Sequence, residues 1–159
     1  GGGVVPQGPG LLNLSLVWRA DAGGAPSHTE AIYRALCDGL AGALAQLGIA
    51  ASPQSVEGSF CDGRFNLAVA GRKLVGTAQS WRRVAGKPVV LAHAVIVVDA
   101  NPLALTEAVN AFERDLGSGR RYRAERNLVM PDAQKRGSSS APGICLRNSG
   151  ENSPCTVEV

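Results

Sequence analysis

Two alternating runs joined by a tight turn constrain the fold of this chain more than any other feature. The runs, RFNLAVA and KLVGTAQ, occupy 64–70 and 73–79, with Gly71 and Arg72 between them. Glycine at the first central position of a two-residue loop is typical of a hairpin turn. The pattern therefore predicts an antiparallel hairpin in which Ala70 pairs with Lys73.

This register sorts the side chains of the hairpin onto two faces. The face predicted to be the core carries Phe65, Leu67, Val69, Leu74, Gly76 and Ala78. The opposite face carries Arg64, Asn66, Ala68, Ala70, Lys73, Val75, Thr77 and Gln79. It combines cations, amides and a hydroxyl with small alanines that leave room above the backbone, so we predict a binding site there.

Periodicity places four further elements along the chain. Alternating apolar residues predict a strand over 11–18, and the apolar run 89–98 predicts a central strand covered on both faces. Apolar residues at helical spacing predict a helix that Ser27 caps and Gly48 ends. Pro102 is predicted to open a second, shorter helix.

Three further expectations concern Cys37, the segment 51–58 and the apolar stripe of the second helix. Cys37 lies near the apolar stripe of the first helix and is predicted to be a small core residue. Residues 51–58 are predicted to be a polar connector. The apolar stripe of the second helix is predicted to comprise Leu105, Val109, Phe112 and Leu116.

Composition excludes several classes of protein. No run reaches the roughly 18 apolar residues of a membrane span, and the basic residues behind the net charge of +3 do not interleave with aromatics as in nucleic-acid binders. The four cysteines lack C-x-x-C spacing, so we predict no metal site. Free thiols in a reducing, cytoplasmic setting are the expectation.

Three ordered blocks carry a resemblance to a known family. RFNLAV with GRKLVGTAQ, followed by VLAHAVIVVDA, resembles the catalytic domain of the lipoate–protein ligase and octanoyltransferase family. The opening GGGVVPQGPGLLNLSL resembles that family's glycine-rich substrate loop and the strand after it. The resemblance covers residues 1 to about 115. It implies an α+β fold, a mostly antiparallel sheet with flanking helices like that of the biotin/lipoate ligases (class II synthetase-like).

The resemblance also implies a domain organisation. Residues 1–127 would form a partial catalytic domain, because the family carries an N-terminal part with further strands before the glycine loop, where this chain begins. Residues 128–159 are rich in Ser, Gly, Pro and Asn and are predicted to be a disordered tail.

The activity implied by the resemblance is attachment of lipoyl or octanoyl groups to a lysine of lipoyl carrier domains. The carriers would be 2-oxoacid dehydrogenase or glycine cleavage proteins, with acyl carrier protein as a further partner, and neither nucleic acid nor membrane takes part. A ligase would use ATP and Mg²⁺ to activate lipoate. An octanoyltransferase would instead pass the acyl group through a cysteine thioester.

The family's site maps onto named positions of this sequence. Lys73 corresponds to the lysine that contacts the activated acyl group. The other substrate-binding candidates are Gly1, Gly2, Gly3, Asn13, Arg64, Asn66, Gly76, Thr77, Gln79 and His93.

Cys61 decides between the two mechanisms. It lies in the loop before the hairpin, where some transferases of this family carry their nucleophile. The neighbouring carboxylate of Asp62 disfavours a thiolate, so the sequence favours the ligase, with the octanoyltransferase as the alternative. A non-catalytic binding relative is the third alternative, because Pro6, Gln7 and Ala94 depart from the family pattern.

Overall fold

The computed structural model describes residues 3–20 and 29–131. Within them, five strands form one antiparallel sheet in the order β1-β5-β4-β3-β2. The strands are β1 (Leu11–Arg19), β2 (Ser52–Gln54), β3 (Asn66–Val69), β4 (Arg72–Val84) and β5 (Lys87–Val97). Two helices, α1 (Thr29–Gln46) and α2 (Pro102–Asp115), and a 3₁₀ turn, Ala124–Arg126, complete the architecture. The predicted α+β fold is confirmed.

Helix α1 supplies the main core against the sheet. Its buried side chains are Leu36, Cys37, Leu40 and Leu44, which follow the predicted helical stripe. The Cys37 thiol is fully buried and donates to the carbonyl of Phe65 at 3.3 Å, so it is the core residue that the sequence predicts. The chain leaves the helix through Gly48 at a φ of 74°, as predicted. The predicted cap, Ser27, lies outside the described residues.

Strand β5 is central, because it pairs with β1 on one side and with β4 on the other. This position confirms the prediction from its nearly continuous apolar run. The predicted connector 51–58 contains a strand that the sequence analysis missed. β2 is three residues long and includes Pro53, which fits an edge position where few ladder bonds are needed.

The hairpin exists, but the predicted turn is wrong by one residue. The two turn residues are Ala70 and Gly71, with φ of 48° and 73°, so glycine takes the second central position. Val69 therefore pairs with Arg72, and Lys73 pairs with Ala68 instead of Ala70. A turn with two positive φ values matches the twist of the strands, which outweighs the modest strain at an alanine.

A β-bulge in β4 places Val75, Gly76 and Ala78 on the faces opposite to those predicted, whereas Lys73 and Leu74 keep theirs. Leu67 pairs with Val75 while Ala68 pairs with Lys73, so Leu74 is an extra residue on β4. The bulge turns Lys73 to the side of Gly76, whereas strict alternation would separate them. Gly76 and Ala78, predicted to face the core, line a pocket instead, and Val75 lies in the core with α1.

Helix α2 begins as predicted but buries a different face. The side-chain oxygen of Asn101 caps it by accepting from the backbone amides of Leu103 and Ala104. Val109 is buried, yet Phe112 and Leu116 of the predicted apolar stripe are 50% and 62% exposed. Polar residues, Thr106 and Glu113, are buried in their place, because the chain after α2 folds back and hydrogen-bonds to that side of the helix.

The chain after α2 continues along the sheet as far as the described residues reach. The amide of Leu128 donates to the Lys73 carbonyl at 2.7 Å, and the amide of Met130 donates to the Val97 carbonyl at 3.0 Å. The predicted tail therefore starts no earlier than about 131, and its remainder, with Cys145 and Cys155, lies outside the described residues. No helix in the described ranges is long and apolar enough to cross a membrane.

Candidate active site

A narrow cavity of about 130 Å³ lies between the N-terminal loop and the strands β4 and β5. Loop residues 5–7 form one wall, and residues 76–78 of β4 with alternate residues of β5 form the opposite one. Its apolar lining includes Val5, Pro6, Leu11, Ala78, Val95, Val97 and Leu105. Its polar lining is Gln7, Cys61, Lys73, Thr77, His93 and Asn127. The cavity thus suits an apolar ligand that carries a polar group.

Lys73 is a buried cation at this cavity, with 7% of its surface exposed. Its ammonium donates to the backbone carbonyl of Phe60 and, at 3.2 Å, to that of Cys61. Burial lowers the pKa of Lys73 to about 8, against the opposing influence of Cys61 and Asp62. An ammonium has three donors, so two protein bonds leave one for a ligand.

Gly76 provides the space for this cation. A side-chain carbon at position 76 would lie 3.0 Å from both Cε and Nζ of Lys73. Gly76 is a predicted substrate contact, but a neighbour within the protein explains why it lacks a side chain. The Lys73 side chain folds back over it.

If the site performs the acyl transfer that the sequence predicts, we expect Gly76→Ala to lower its rate about tenfold or more, because the added methyl displaces the ammonium from its two carbonyl acceptors. Gly42→Ala in α1 is the matched control, since an added carbon there meets nothing within 4 Å. Steady-state transfer rates and thermal melts of both variants test this. Full activity in Gly76→Ala would contradict the arrangement.

Cys61 lies in a strained and closely packed loop. Its φ is 45°, a left-handed conformation that costs energy for a residue other than glycine. Gly3 packs directly on it, since a side-chain carbon at position 3 would lie 3.0 Å from the Cys61 Cα. The N-terminal glycine-rich loop is therefore in contact with the loop that carries Cys61. Cys61 itself is partly exposed.

Asp62 directs its carboxylate into its own loop. It accepts from the backbone amide of Val56 at 2.7 Å and from the Ser55 hydroxyl at 3.0 Å. The side-chain amide of Asn66 approaches the same carboxylate at 3.5 Å. These bonds hold the carboxylate within its own loop without removing its negative charge, and the Lys73 ammonium interacts electrostatically with both Asp62 and Cys61.

Asn127 is a site residue that the sequence analysis missed. It is 4% exposed, and its side-chain oxygen accepts from the Phe60 amide at 3.4 Å while its side-chain nitrogen donates to the Arg123 carbonyl at 3.1 Å. The backbone of Asn127 also pairs with that of Lys73 as an isolated parallel β-bridge. Asn127 thereby connects the loop that carries Cys61 to strand β4, which carries Lys73. No local motif predicts this role, because Phe60 and Lys73 lie more than fifty residues away in the sequence.

The strand β1 contributes two supporting contacts. The Ser15 hydroxyl and Nδ1 of His93 lie 2.8 Å apart, and burial lowers the pKa of His93, which favours its neutral form. The side-chain amide of Asn13 donates to Gln7 at 2.9 Å and so ties the N-terminal loop to the sheet. Of these residues, His93 and Gln7 line the cavity directly.

Three predicted substrate contacts are occupied elsewhere. Arg64 forms an ion pair with Glu30 at 2.6 Å and lies 69% exposed. Gln79 donates to the Thr29 carbonyl at the start of α1, at 2.7 Å. Neither residue lines the cavity, and Asn66 does not either.

Thr77 does line the cavity, although its hydroxyl donates to the Phe65 carbonyl at 2.6 Å. Gly1 and Gly2 lie outside the described residues, and Gly3 contacts Cys61 as given above. Within the described ranges, no group of three or more His, Cys, Asp or Glu side chains could hold a metal ion. The predicted binding roles of these residues remain predictions.

A comparison with models of protein families shows to which family the chain belongs. The chain matches the lipoyl protein ligase A/B catalytic domain over residues 1–127. This match covers most of the chain, so the chain belongs to that family, as the motifs predict.

Two curated proteins are similar in sequence. An uncharacterized protein of Cupriavidus necator is 43% identical over 145 residues, covering 84% of this chain and 57% of its own length. The octanoyl-[GcvH]:protein N-octanoyltransferase of Kyrpidia tusciae is 41% identical over 125 residues, covering 74% of this chain and 42% of its own length. The chain thus spans about half the length of these relatives.

Solved structures support the fold. A lipoate protein ligase of Thermoplasma acidophilum with bound lipoic acid superposes with a TM-score of 0.52 at 20% identity, covering 81% of this chain and 48% of that one. A structure described as a bi-partite lipoate protein ligase and its E2 lipoyl domain, from the same organism, gives 0.51 at 21% identity, covering 86% and 51%. The sheet and helices are therefore those of the lipoate ligases.

Proposed function

We propose that this chain carries the site of an octanoyl- or lipoyltransferase that passes an acyl group through Cys61 to a lysine of a lipoyl carrier domain. The observation that carries the proposal is that Cys61 and Lys73 line one apolar cavity while the Lys73 ammonium donates to the Cys61 carbonyl. This proposal reverses the sequence-based preference for the ligase, because the Lys73 ammonium, which interacts electrostatically with Cys61, favours the thiolate that the neighbouring Asp62 carboxylate opposes.

The cavity supports a substrate with an apolar acyl chain. Its volume of about 130 Å³ and its lining of valines, leucines and small residues favour burial of a short alkyl chain over a charged group. The 41% identity to an octanoyltransferase agrees with this substrate class. The carriers we propose are those of 2-oxoacid dehydrogenases or the glycine cleavage system, with acyl carrier protein as a donor, in the cytoplasm.

The reaction has two balanced steps. In the first, the Cys61 sulfur bonds to the acyl carbonyl carbon of the donor, the bond to the donor's heteroatom breaks, and the thiol proton leaves with the donor. In the second, the neutral amine of the acceptor lysine bonds to the same carbon, the carbon–sulfur bond breaks, and the amine proton restores the thiol. Lys73 supplies its remaining donor to the carbonyl oxygen as negative charge develops there.

The ligase alternative requires ATP and Mg²⁺. A triphosphate is normally held by several cations and backbone amides. The apolar cavity offers it one cation, Lys73, beside His93, while Arg120 and Arg121 line a second, more open cavity on the other side of Cys61. We therefore derive no step through a nucleotide. The non-catalytic alternative rests on Pro6, Gln7 and Ala94, whereas the presence of Cys61 and Lys73 in one cavity favours a transferase.

ATP dependence distinguishes the two activities. We expect octanoyl transfer from octanoyl-acyl carrier protein to an unmodified lipoyl domain to proceed without ATP or Mg²⁺, because the thioester donor is already activated. Intact-mass measurement of the lipoyl domain follows the reaction, and free octanoate is the matched negative control. Modification from free octanoate or lipoate that requires ATP, with none from the thioester donor, would establish the ligase instead.

A further inference from the structure

A tyrosine hydroxyl joins helix α2 to the N-terminal loop. Tyr122 lies in the chain after α2, and its hydroxyl donates to the carboxylate of Glu113 in that helix at 2.9 Å. The same hydroxyl has a hydrogen bond to the backbone of Val4. The loop also packs closely here, because a side-chain carbon at Gly3 would lie 3.2 Å from the hydroxyl oxygen.

The ring of Tyr122 contacts the loop that carries Cys61. It packs on Phe60 at an angle of 60°, with ring centroids 5.9 Å apart. The backbone carbonyl of Phe60 accepts from the Lys73 ammonium, and Cys61 is the next residue along the chain. One side chain therefore contacts the nucleophile's loop through its ring and the N-terminal loop through its hydroxyl.

Hydrogen bonds from α2 fix the position of Tyr122. The side-chain oxygen of Asn110 accepts from the Tyr122 amide at 2.8 Å, and its nitrogen donates to the Tyr122 carbonyl at 2.9 Å. Glu113 is 2% exposed and also accepts from the Ser118 hydroxyl at 2.5 Å. Burial and the Glu113 carboxylate raise the pKa of Tyr122, so its hydroxyl keeps the proton that it donates. A tyrosine held at its backbone and at its hydroxyl is a fixed support for the loops that pack on it.

The N-terminal loop that Tyr122 supports is one wall of the apolar cavity. Residues 5–7, which line the cavity, directly follow Val4. The side chain of Asn13 ties this loop to the sheet at Gln7, and Tyr122 ties it at Val4. A gap of roughly 0.5–1 Å between a wall and a ligand already forfeits a quarter to a half of their dispersion attraction. The fit of an alkyl chain therefore depends on how firmly the wall is held.

We propose that Tyr122 is a positioning residue that sets the width of the acyl cavity and thereby the preference of the site for long over short acyl chains. The inference rests on the proposed function. An octanoyl chain on Cys61 would contact the wall at 5–7 along several methylenes, each of which gains from burial, whereas an acetyl group would not extend along it. Weakening the support of the wall should therefore affect the long chain selectively.

Removal of one hydroxyl tests the inference. Tyr122→Phe keeps the ring on Phe60 but loses the hydrogen bonds to Glu113 and Val4. Loading of Cys61 is followed by intact mass with two small thioesters, octanoyl- and acetyl-N-acetylcysteamine. We expect octanoyl loading to slow about tenfold in Tyr122→Phe, while acetyl loading stays within about twofold of wild type.

Two further variants serve as controls. Tyr33→Phe removes a hydroxyl from a tyrosine that stacks on Phe65 and does not line the cavity, so it should load both thioesters like wild type. Glu113→Gln keeps a side-chain oxygen that can accept from the Tyr122 hydroxyl. It should therefore retain the wild-type ratio of octanoyl to acetyl loading.

The outcomes separate the inference from the proposed function. An equal loss of octanoyl and acetyl loading in Tyr122→Phe would indicate general damage to the site and overturn the inference. An octanoyl-to-acetyl ratio that Tyr122→Phe leaves unchanged, as in Tyr33→Phe, would also overturn it, and the transferase would stand in both cases. Absence of loading in the wild-type protein with both thioesters would overturn the proposed function and this inference together.

Discussion

Cys61→Ser is expected to lose carrier-to-carrier acyl transfer by a factor of about 10³ or more, because the proposed route runs through a thioester on this sulfur. Serine is nearly isosteric, so the loop and its contacts with Gly3 and Lys73 should persist. Intact-mass kinetics of the acceptor lipoyl domain, with equal melting temperatures for variant and wild type, provide the measurement.

Cys37→Ala is the matched control for that variant. Burial raises the pKa of Cys37 to about 11, so this thiol is not a nucleophile at neutral pH, and its loss should affect stability rather than transfer. If Cys61→Ser kept wild-type transfer while Cys37→Ala lost it, the assignment of the nucleophile would be wrong.

Lys73→Met is expected to lower transfer by about 10² to 10³, because the site loses the donor aimed at the developing oxyanion. Methionine fills much of the same space, so the loss would reflect the charge and its hydrogen bonds to Phe60 and Cys61 rather than a cavity. Wild-type rates in Lys73→Met would contradict the role proposed for this residue.

The pKa of Lys73 sets the pH dependence of the wild-type enzyme. With a pKa of about 8, the ammonium is lost above that pH, so we expect the transfer rate to fall through pH 8 to 9. Lys73→Arg keeps its charge and should not show this descending limb, whatever its absolute rate. A wild-type rate that rises steadily to pH 10 would contradict the requirement for the ammonium.

The same shift makes a prediction about stability. The lysine has a pKa of 10.5 when unfolded and about 8 when folded, so the unfolded chain binds the proton more tightly. Stability from this group is therefore reduced below pH 8 and recovers as pH rises to 10.5, by on the order of 3 kcal/mol. Denaturant titrations of wild type and Lys73→Met below pH 8 and at pH 10.5 measure this contribution to the free energy of unfolding, since the variant lacks the titrating amine.

The sequence predicted the elements whose pattern is local. The stripe of α1 with Leu36, Leu40 and Leu44, and the central strand β5, follow from periodicity and burial alone. The faces of β4 could not be predicted in this way, because one bulged residue, Leu74, reverses the alternation. The turn failed for a related reason: Ala70 takes a positive φ that its residue type does not favour.

The residues of the candidate site also fall into two groups: those that the sequence could identify and those that only the fold brings together. Lys73 and Cys61 stand in one recognisable stretch, so the sequence could nominate both. Asn127 and Tyr122 reach them only through the folded chain, and no spacing in the sequence announces those contacts. Arg64 and Gln79 were nominated from their residue types, but an ion pair and a helix terminus compete for their side chains.

The most direct test of the central claim is the mass of the protein after brief exposure to octanoyl-acyl carrier protein, with no acceptor present. The account predicts a mass increase of one octanoyl group that maps to Cys61, is removed by hydroxylamine, and is absent from Cys61→Ser. An unmodified protein that nonetheless transfers octanoyl groups to a lipoyl domain would contradict it.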